Sequence, residues 1–285
     1  MEMTPGMTGS GPDTALQAAR LEQPRAIVRE VAAARARAGL RFRLVCLFTW
    51  LVVVGGLVLA IGTTGRVDPE FLARYTPLFL GGVPLTIFVA GVSIVFAVVF
   101  AIVGAIGRIS TWAPVYALAT LYVSIVRGTP FIVQIFFVYS ALPQFGIVLP
   151  AIVAGIFALS FNYGAYLTEI FRAGIQAIPR GQIEAANALA LSNGQTMRRV
   201  ILPQAVRIVI PAVGNDFISM IKDSALVSFV GIQELFWRTQ TIGSAKFRSF
   251  ETLLFAAAVY WFLTIIFSLV QERLEKQMAE SDRRI

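Results

Sequence analysis

The dominant pattern along this chain is a succession of long apolar runs, separated by short stretches that carry Arg, Gly and Pro. A helix that crosses a membrane needs about 20 mostly apolar residues, whereas the strands of a membrane barrel would alternate between apolar and polar positions. The runs are long and do not alternate, so the pattern predicts six membrane-spanning helices. They cover residues 44–61, 78–106, 116–142, 149–170, 208–230 and 253–270.

Two of these runs depart from a uniform apolar helix. The third is interrupted by Arg127-Gly128-Thr129-Pro130, and the fifth is the most polar of the six. Proline removes a backbone donor and glycine is conformationally free, so the third helix is expected to break at this point.

Composition fits a lipid-solvated protein of one membrane domain. The chain has 285 residues, of which 57% are hydrophobic and 14% are charged, while soluble domains carry about 25% charged residues. The lone Cys46 and the lack of His remove the usual disulfide, metal and general-base chemistry. We therefore expect no catalytic residue and no metal site.

The formal charge of +8 is concentrated in segments between the runs. In a soluble protein it would suggest nucleic acid, but here it fits cytoplasmic loops enriched in Arg and Lys, so no nucleic-acid partner is expected. The arginines before the first run predict a cytoplasmic N-terminus, and six crossings return the C-terminus to the same side. These arginines are Arg20, Arg25, Arg29, Arg35, Arg37, Arg41 and Arg43.

A polar, Ala-rich segment between the fourth and fifth runs reads EAANALALSNGQTMRRVILP, from Glu184 to Pro203. Its local chemistry predicts two short helices. Pro179 suits the first turn of the first helix. Ser192, followed three residues later by Gln195, is a capping-box signature for the second, and Pro203 is expected to end that helix or its exit. The side chains of the alanines are small, so another protein's backbone can approach this surface closely.

This segment resembles the loop with which permease subunits of ATP-binding-cassette (ABC) importers contact their ATPase, the EAA motif. The resemblance continues through GAYLTEIFRAGIQAIPRGQ before it and QAVRIVIPAVGNDFISMIKDSAL after it, and it covers roughly residues 80–271. It indicates the permeases of the polar amino-acid uptake family. The family pattern is EAA, three residues, Gly, nine residues, Ile, one residue, Leu-Pro. Here Ala190 stands at the Gly position and Val200 at the Ile position.

The resemblance implies an all-α integral membrane protein with the type I ABC importer (MetI-like) permease fold, comprising five core helices plus one N-terminal transmembrane helix. It implies that the chain imports a polar amino acid across the bacterial cytoplasmic (inner) membrane by alternating access. The implied partners are a second permease subunit, identical or homologous, two cytoplasmic ABC ATPase subunits and an extracytoplasmic solute-binding protein. ATP and Mg would be bound by the ATPase, so the chain itself is expected to hold no cofactor and to be no enzyme.

The runs and the resemblance together predict four regions. They are a cytoplasmic extension at 1–43, partly disordered; an extra N-terminal transmembrane helix at 44–61; a permease core at 78–272, with a cytoplasmic coupling loop at 173–205; and a cytoplasmic tail at 273–285. By resemblance, the residues of the coupling loop that serve the ATPase contact are Glu184, Ala185, Ala186, Ala190, Ser192, Leu202 and Pro203.

Polar groups inside the runs are candidates for the substrate path, because such groups are costly in lipid and usually line a pathway or pair with one another. The candidates are Thr129, Gln134, Asn162, Tyr166, Glu169, Asn215, Ser219 and Asp223. Glu169 or Asp223 can accept from the ammonium of an amino acid, while amides and Lys222 can donate to its carboxylate. The alternative is pairing between helices without ligand contact, for example Lys222 with Glu169.

Three other functions stay open at this point. The chain can be a permease for another small polar solute, a non-transporting membrane regulator coupled to an ATPase, or an ATP-independent channel. The sequence contains no glycine-rich phosphate loop of the kind that ATPases use, so any ATP hydrolysis has to come from a partner.

Overall fold

The computed structural model describes residues 39–63, 65 and 67–282. Most of the predicted extension at 1–43 lies outside the described residues, as does the end of the predicted tail at 283–285. The chain divides into two units, residues 1–67 and 68–285. Among the described residues of the first unit, helix α1 runs over Gly39–Thr63 and is long and apolar enough to cross a membrane.

The described part of the second unit, residues 68–282, contains ten further α-helices. They are α2 (Pro69–Leu80), α3 (Val83–Ile109), α4 (Ala113–Gly128), α5 (Phe131–Phe136), α6 (Ala151–Gln176), α7 (Arg180–Ala188), α8 (Asn193–Thr196), α9 (Leu202–Asp223), α10 (Leu235–Ala245) and α11 (Ser249–Asp282). Short π- and 3₁₀-helical segments continue α5 (Phe137–Ala141 and Leu142–Phe145), join α8 to α9 (Met197–Ile201) and follow α9 (Ser224–Val230).

The all-α membrane class predicted from the apolar runs is confirmed. Five helical stretches in the described residues are long and apolar enough to cross a membrane, and a sixth is obtained when α4 and α5 count as one broken span. No strand occurs in this part of the chain. The spans fall on the six predicted runs, although the helices extend beyond the apolar residues because their polar ends continue the same hydrogen-bonding pattern.

The predicted interruption of the third run is also confirmed, and it takes the form of a sharp bend. The helices on its two sides, Ala113–Gly128 and Phe131–Phe145, meet at 110°. Thr129 has an extended backbone (φ −117°, ψ 144°), because the ring of Pro130 disfavours helical geometry in the residue before it. The bend leaves backbone carbonyls at the end of α4 without helical partners, which matters for the polar groups described below.

The core of the second unit is the contact between α3 and α6, and it depends on glycine. A Cβ added to Gly164 would lie 2.5 Å from the Cβ of Phe100, and one added to Gly104 would collide with the side chain of Thr168. The two helices therefore approach more closely than larger residues allow. Leu159 of α6 is fully buried in the hydrophobic core of this unit.

Two helices, α2 and α10, were not anticipated from the apolar runs, and α10 is held by a buried carboxylate. Glu234 caps α10 by accepting from the backbone N–H of Trp237 at 2.8 Å, and it also accepts from the hydroxyls of Tyr260 (2.5 Å) and Thr86 (3.2 Å). Burial raises the pKa of the Glu234 carboxyl, while the hydrogen bond from Tyr260 works in the opposite direction. One carboxylate thus joins α3, α10 and α11.

Candidate functional site

The first half of the coupling loop is a single short helix with a defined end. α7 begins after Pro179, which occupies the position before the helix rather than its first turn, and ends at Ala188. At its end the N–H of Ala190 donates to the carbonyl of Asn187, and the N–H of Leu191 donates to the carbonyl of Ala186. This pair of bonds is the Schellman arrangement, which requires a left-handed residue just past the helix.

Ala190 is that left-handed residue, with φ at 54°. It stands where the family pattern has Gly, and the structure gives the physical reason for a glycine there, because glycine adopts this conformation without steric cost. An L-residue in the left-handed region costs about 1–2 kcal/mol. The turn geometry is therefore kept here despite the alanine, with strain at one position.

The second half of the coupling loop begins with the predicted capping box, which is confirmed. Ser192 Oγ accepts from the N–H of Gln195 at 3.3 Å, and Gln195 Oε1 accepts from the N–H of Ser192 at 2.9 Å. The expectation that Pro203 ends this helix or its exit is wrong. The chain stays helical through the wide turn Met197–Ile201 into α9. A wide turn just ahead of a proline relieves the clash between its ring and the preceding turn.

The coupling loop presents a mostly exposed surface. Of the residues singled out there, the structure exposes Glu184, Ala185, Ala190, Ser192, Leu202 and Pro203. Ala186 differs, since it is only 2% exposed and packs inward. Leu189, which the sequence analysis did not single out, has 76% of its side chain exposed at the end of α7. Leu189 thus adds an apolar side chain to the exposed surface of the coupling loop.

The second group of predicted residues meets at the bend between α4 and α5. The amide nitrogen of Gln134 donates to the carbonyl of Val126 at 2.8 Å and to Thr129 Oγ1 at 3.0 Å. Asn162 of α6, 5% exposed, donates in turn to Gln134 Oε1 at 3.1 Å. Thr129, Gln134 and Asn162 are therefore linked, and Gln134 satisfies a carbonyl that the bend leaves free.

Next to Asn162, a tyrosine connects α6 to α9. The hydroxyl of Tyr163 donates to Asp223 Oδ2 at 2.7 Å. Its ring centroid lies 6.5 Å from that of Tyr166, and the guanidinium of Arg127 lies 5.1 Å from the Tyr166 ring centroid. We call Thr129, Gln134, Asn162, Tyr163 and Asp223 the polar cluster. Tyr163 was missed by sequence reasoning, although its place beside Asn162 inside an apolar run was the available signal.

The other candidates on α9 lie outside these hydrogen bonds. Ser219 is half-buried one helical turn before Asp223, and Asn215 is exposed one turn earlier. Asp216 lies between them, and its Oδ2 is buried without a hydrogen-bond partner among the described residues. A buried carboxylate oxygen without a donor is energetically costly, so Asp216 is a further acceptor on this face of α9.

Glu169 belongs to a separate ion cluster. Its carboxylate accepts from Arg108 of α3 at 2.9 Å and from Arg172 at 2.7 Å. The suggested pair between Lys222 and Glu169 is wrong, because both carboxylate oxygens are taken by arginines and Lys222 is exposed. Arg108 also donates to Thr120 of α4 at 2.6 Å. The cluster joins α3, α4 and α6 about two helical turns from Asn162.

One continuous helical stretch connects the coupling loop with the polar cluster. It extends over Asn193–Val230 and carries Ser192's capping box at one end and Asp223 near the other. The region thus combines an exposed loop, a continuous helical stretch and a group of polar side chains within the predicted membrane spans.

An all-α membrane unit with these features is the type I ABC importer permease fold. Residues 97–280 match the family described as binding-protein-dependent transport system inner membrane component. The chain belongs to this family, and the resemblance noted in the coupling loop is confirmed.

Individual relatives extend the comparison over most of the chain. It is 37% identical over 220 residues to the probable amino-acid permease protein YxeN of Bacillus subtilis (strain 168), covering 76% of this chain and 98% of that protein. It is also 37% identical over 219 residues to the L-cystine transport system permease protein TcyB of the same organism, covering 76% and 94%.

Among solved structures, the chain is similar to a chain in the crystal structure of an amino acid ABC transporter with histidines. The identity is 39%, the TM-score is 0.71, and the match covers 74% of this chain and 99% of that one. A chain of the inward-facing MetNI methionine ABC transporter matches with a TM-score of 0.62 at 21% identity, covering 72% and 98%. The second match supports the fold alone.

Proposed function

We propose that this chain is the permease subunit of an ATP-driven importer that moves a polar amino acid across the cytoplasmic membrane. The observation that carries the proposal is the continuous helical stretch Asn193–Val230, which joins the exposed coupling loop to Asp223 of the polar cluster. A regulator that only docks on an ATPase needs the exposed loop but no polar cluster. A passive channel needs no docking loop.

The chemistry of the polar cluster suits a zwitterion. Asp223 and the unpartnered oxygen of Asp216 accept hydrogen bonds from an ammonium group. Asn162 retains one N–H beyond its bond to Gln134 and is the amide donor of the cluster, and Arg127 lies beside Tyr166. An ammonium and a carboxylate need acceptors and donors on opposite sides of a small site. The relatives named as amino-acid and L-cystine permeases support this class of cargo.

The remaining parts of the assembly follow from the family. A second permease subunit, identical or homologous, completes the path, and a solute-binding protein delivers the amino acid from outside. Two ATPase subunits bind ATP and Mg and dock on the coupling loop, so this chain performs no hydrolysis. The arginines before residue 44 and in the coupling loop support a cytoplasmic position for both termini and for this loop. ATP-driven movement of the loop then shifts α9 and opens the path alternately to each side.

The test is uptake of radiolabelled amino acids by proteoliposomes that contain the complete importer. Tyr163→Phe deletes the hydroxyl that holds Asp223, and we expect it to lower uptake at least tenfold. Tyr139→Phe makes the same chemical change at an exposed tyrosine of the segment Phe137–Ala141 and is expected to leave uptake unchanged. Assembly of each variant is checked by co-purification of the ATPase.

A second pair of variants separates the permease from the channel. Glu184→Lys places a positive charge on the exposed face of α7 and is expected to abolish ATP-dependent uptake. Glu70→Lys, on the exposed face of α2, is the control. If amino-acid flux through Glu184→Lys equals that of the unmodified chain, or if Tyr163→Phe transports normally, the proposed function is refuted.

A further inference from the structure

A large cavity lies between α3, α6, α9 and α11, and no residue of the polar cluster lines it. Its volume is about 1040 Å³. Apolar side chains form nearly all of its wall, among them Ile102, Ile106, Val206, Ile210, Leu274 and Met278. We call this cavity the apolar groove.

Polar groups contribute little to the wall of the apolar groove. Among the described residues that line it, only Gln271 and Glu275 have polar side chains. The amide nitrogen of Gln271 donates to the carbonyl of Pro211 at 2.9 Å and to Glu275 Oε1 at 2.9 Å, so it is tied to the helices. Water gains few hydrogen bonds in such a space, and a cavity of this size without an occupant would be costly. The wall therefore favours an apolar occupant over water.

The dimensions of the apolar groove suit a hydrocarbon chain. Its walls on α3 and α11 extend from Val98 to Ile109 and from Phe267 to Met278, a rise of roughly 17 Å each at about 1.5 Å per residue. Its wall on α9 is longer and extends from Leu202 to Ile218. One leaflet of a bilayer has a hydrocarbon depth of roughly 15 Å. An acyl chain is a single file of methylene groups and fits without displacing the surrounding helices.

Basic side chains stand at one end of the apolar groove. Met197 and Leu202 both line it, and between them Arg198 and Arg199 are exposed. This end is where the coupling loop passes into α9, so it lies at the headgroup level when the apolar part of α9 is in lipid. A guanidinium near the membrane surface attracts acidic headgroups, by about 1 kcal/mol each. The charge at the mouth of the apolar groove is thus complementary to a lipid phosphate.

From these observations we propose that the apolar groove binds an acyl chain of an acidic phospholipid, whose headgroup phosphate is bound by Arg198 and Arg199. The proposal takes from the proposed function only the position of the coupling loop at the cytoplasmic face. Leu202 contributes to both the coupling loop and the wall of the apolar groove. A bound acyl chain therefore packs behind Leu202, at the point where the coupling loop continues into α9 and moves it.

The test uses fluorescence quenching by labelled lipids in vesicles that contain the full chain. With Cys46 replaced by Ser, a bimane fluorophore is attached at Val206→Cys inside the apolar groove. The matched control is Val103→Cys, an equally apolar position of α3 that is 67% exposed and does not line the apolar groove. The vesicles are phosphatidylcholine with a small fraction of doxyl-labelled phosphatidylglycerol or doxyl-labelled phosphatidylcholine.

We expect the fluorophore at Val206 to be quenched preferentially by the acidic lipid, with a preference of roughly fivefold for each arginine. The fluorophore at Val103 should show no preference, and Arg198→Gln with Arg199→Gln should remove the preference at Val206. Equal quenching by both lipids at Val206 would overturn the proposal, because the groove then meets only bulk lipid. Absence of quenching at Val206 would overturn it as well, since a second permease subunit would then cover the groove. Neither result depends on transport.

Discussion

Replacing Ala190 by glycine tests the strain at the end of α7, because the expected effect has the opposite sign to that of most alanine-to-glycine changes. With φ at 54°, the alanine carries a cost of about 1–2 kcal/mol, which Ala190→Gly removes. Glycine also gives the unfolded chain more freedom, which lowers stability by roughly 0.4–1 kcal/mol. The difference is a net gain of about 1 kcal/mol in the local stability of the Schellman turn.

Ala188→Gly is the matched control, two residues earlier on the same helix. Ala188 is the last residue of α7 and is exposed, so the change alters neither strain nor packing. Glycine is about 1 kcal/mol less favourable than alanine in a helix, and the control is expected to destabilise the turn by that amount. The two variants make the same chemical change and differ in the backbone conformation of the substituted residue, which is left-handed at Ala190 and helical at Ala188.

Hydrogen exchange measured by mass spectrometry reports this turn directly. The amides of Ala190 and Leu191 donate to Asn187 and Ala186, and their protection reflects local opening. A change of 1 kcal/mol alters protection about fivefold, so Ala190→Gly should slow exchange and Ala188→Gly should speed it, after correction for intrinsic rates. If both variants lower protection equally, Ala190 is not strained and this account of the family glycine is wrong.

Three further predictions concern the helical framework. Gly104→Val should prevent the close contact of α3 with α6 and cost at least 2 kcal/mol, whereas Gly91→Val, which meets no atom within 4 Å, should be tolerated; the melting temperature in detergent measures both. Because burial raises the pKa of Glu234, its stabilising contribution is present below its ordinary pKa and is lost as the pH rises through the raised value. The melting temperature of the unmodified chain should therefore fall more steeply toward neutral pH than that of Glu234→Gln, and parallel pH profiles would contradict this assignment. A double-mutant cycle of Arg108→Gln and Glu169→Gln should give a coupling of about 1–3 kcal/mol, and a coupling of zero would show that their ion pair does not form.

Much of the fold could be predicted because lipid imposes a simple rule on sequence. The apolar runs had to be helices, and the interruption at Arg127-Gly128-Thr129-Pro130 became a 110° bend because proline acts locally. The capping box of Ser192 is local too. By contrast, α10 depends on the buried carboxylate of Glu234 and its partners far along the chain, and no local pattern reveals such a contact.

Most residues of the site could be predicted from the sequence, but their hydrogen-bond and ion-pair partners could not. Asn162 and Gln134 were both named from the apolar runs, yet their hydrogen bond depends on the bend that brings α5 against α6. Glu169 was placed correctly on α6, but its partners are arginines of two elements rather than Lys222. Spacing along one helix identifies a shared face and leaves open what lies opposite, because that is fixed by packing between helices.

The most direct test of the central claim is the accessibility of α7 in the assembled importer. A single cysteine at Glu184, in the Cys46→Ser background, is exposed to a membrane-impermeant maleimide in intact cells and in inverted membrane vesicles. We predict labelling only in inverted vesicles, and protection from it when the ATPase subunits are bound. Labelling of Glu184→Cys in intact cells, or equal labelling with and without the ATPase, would contradict a cytoplasmic coupling loop and with it the proposed function.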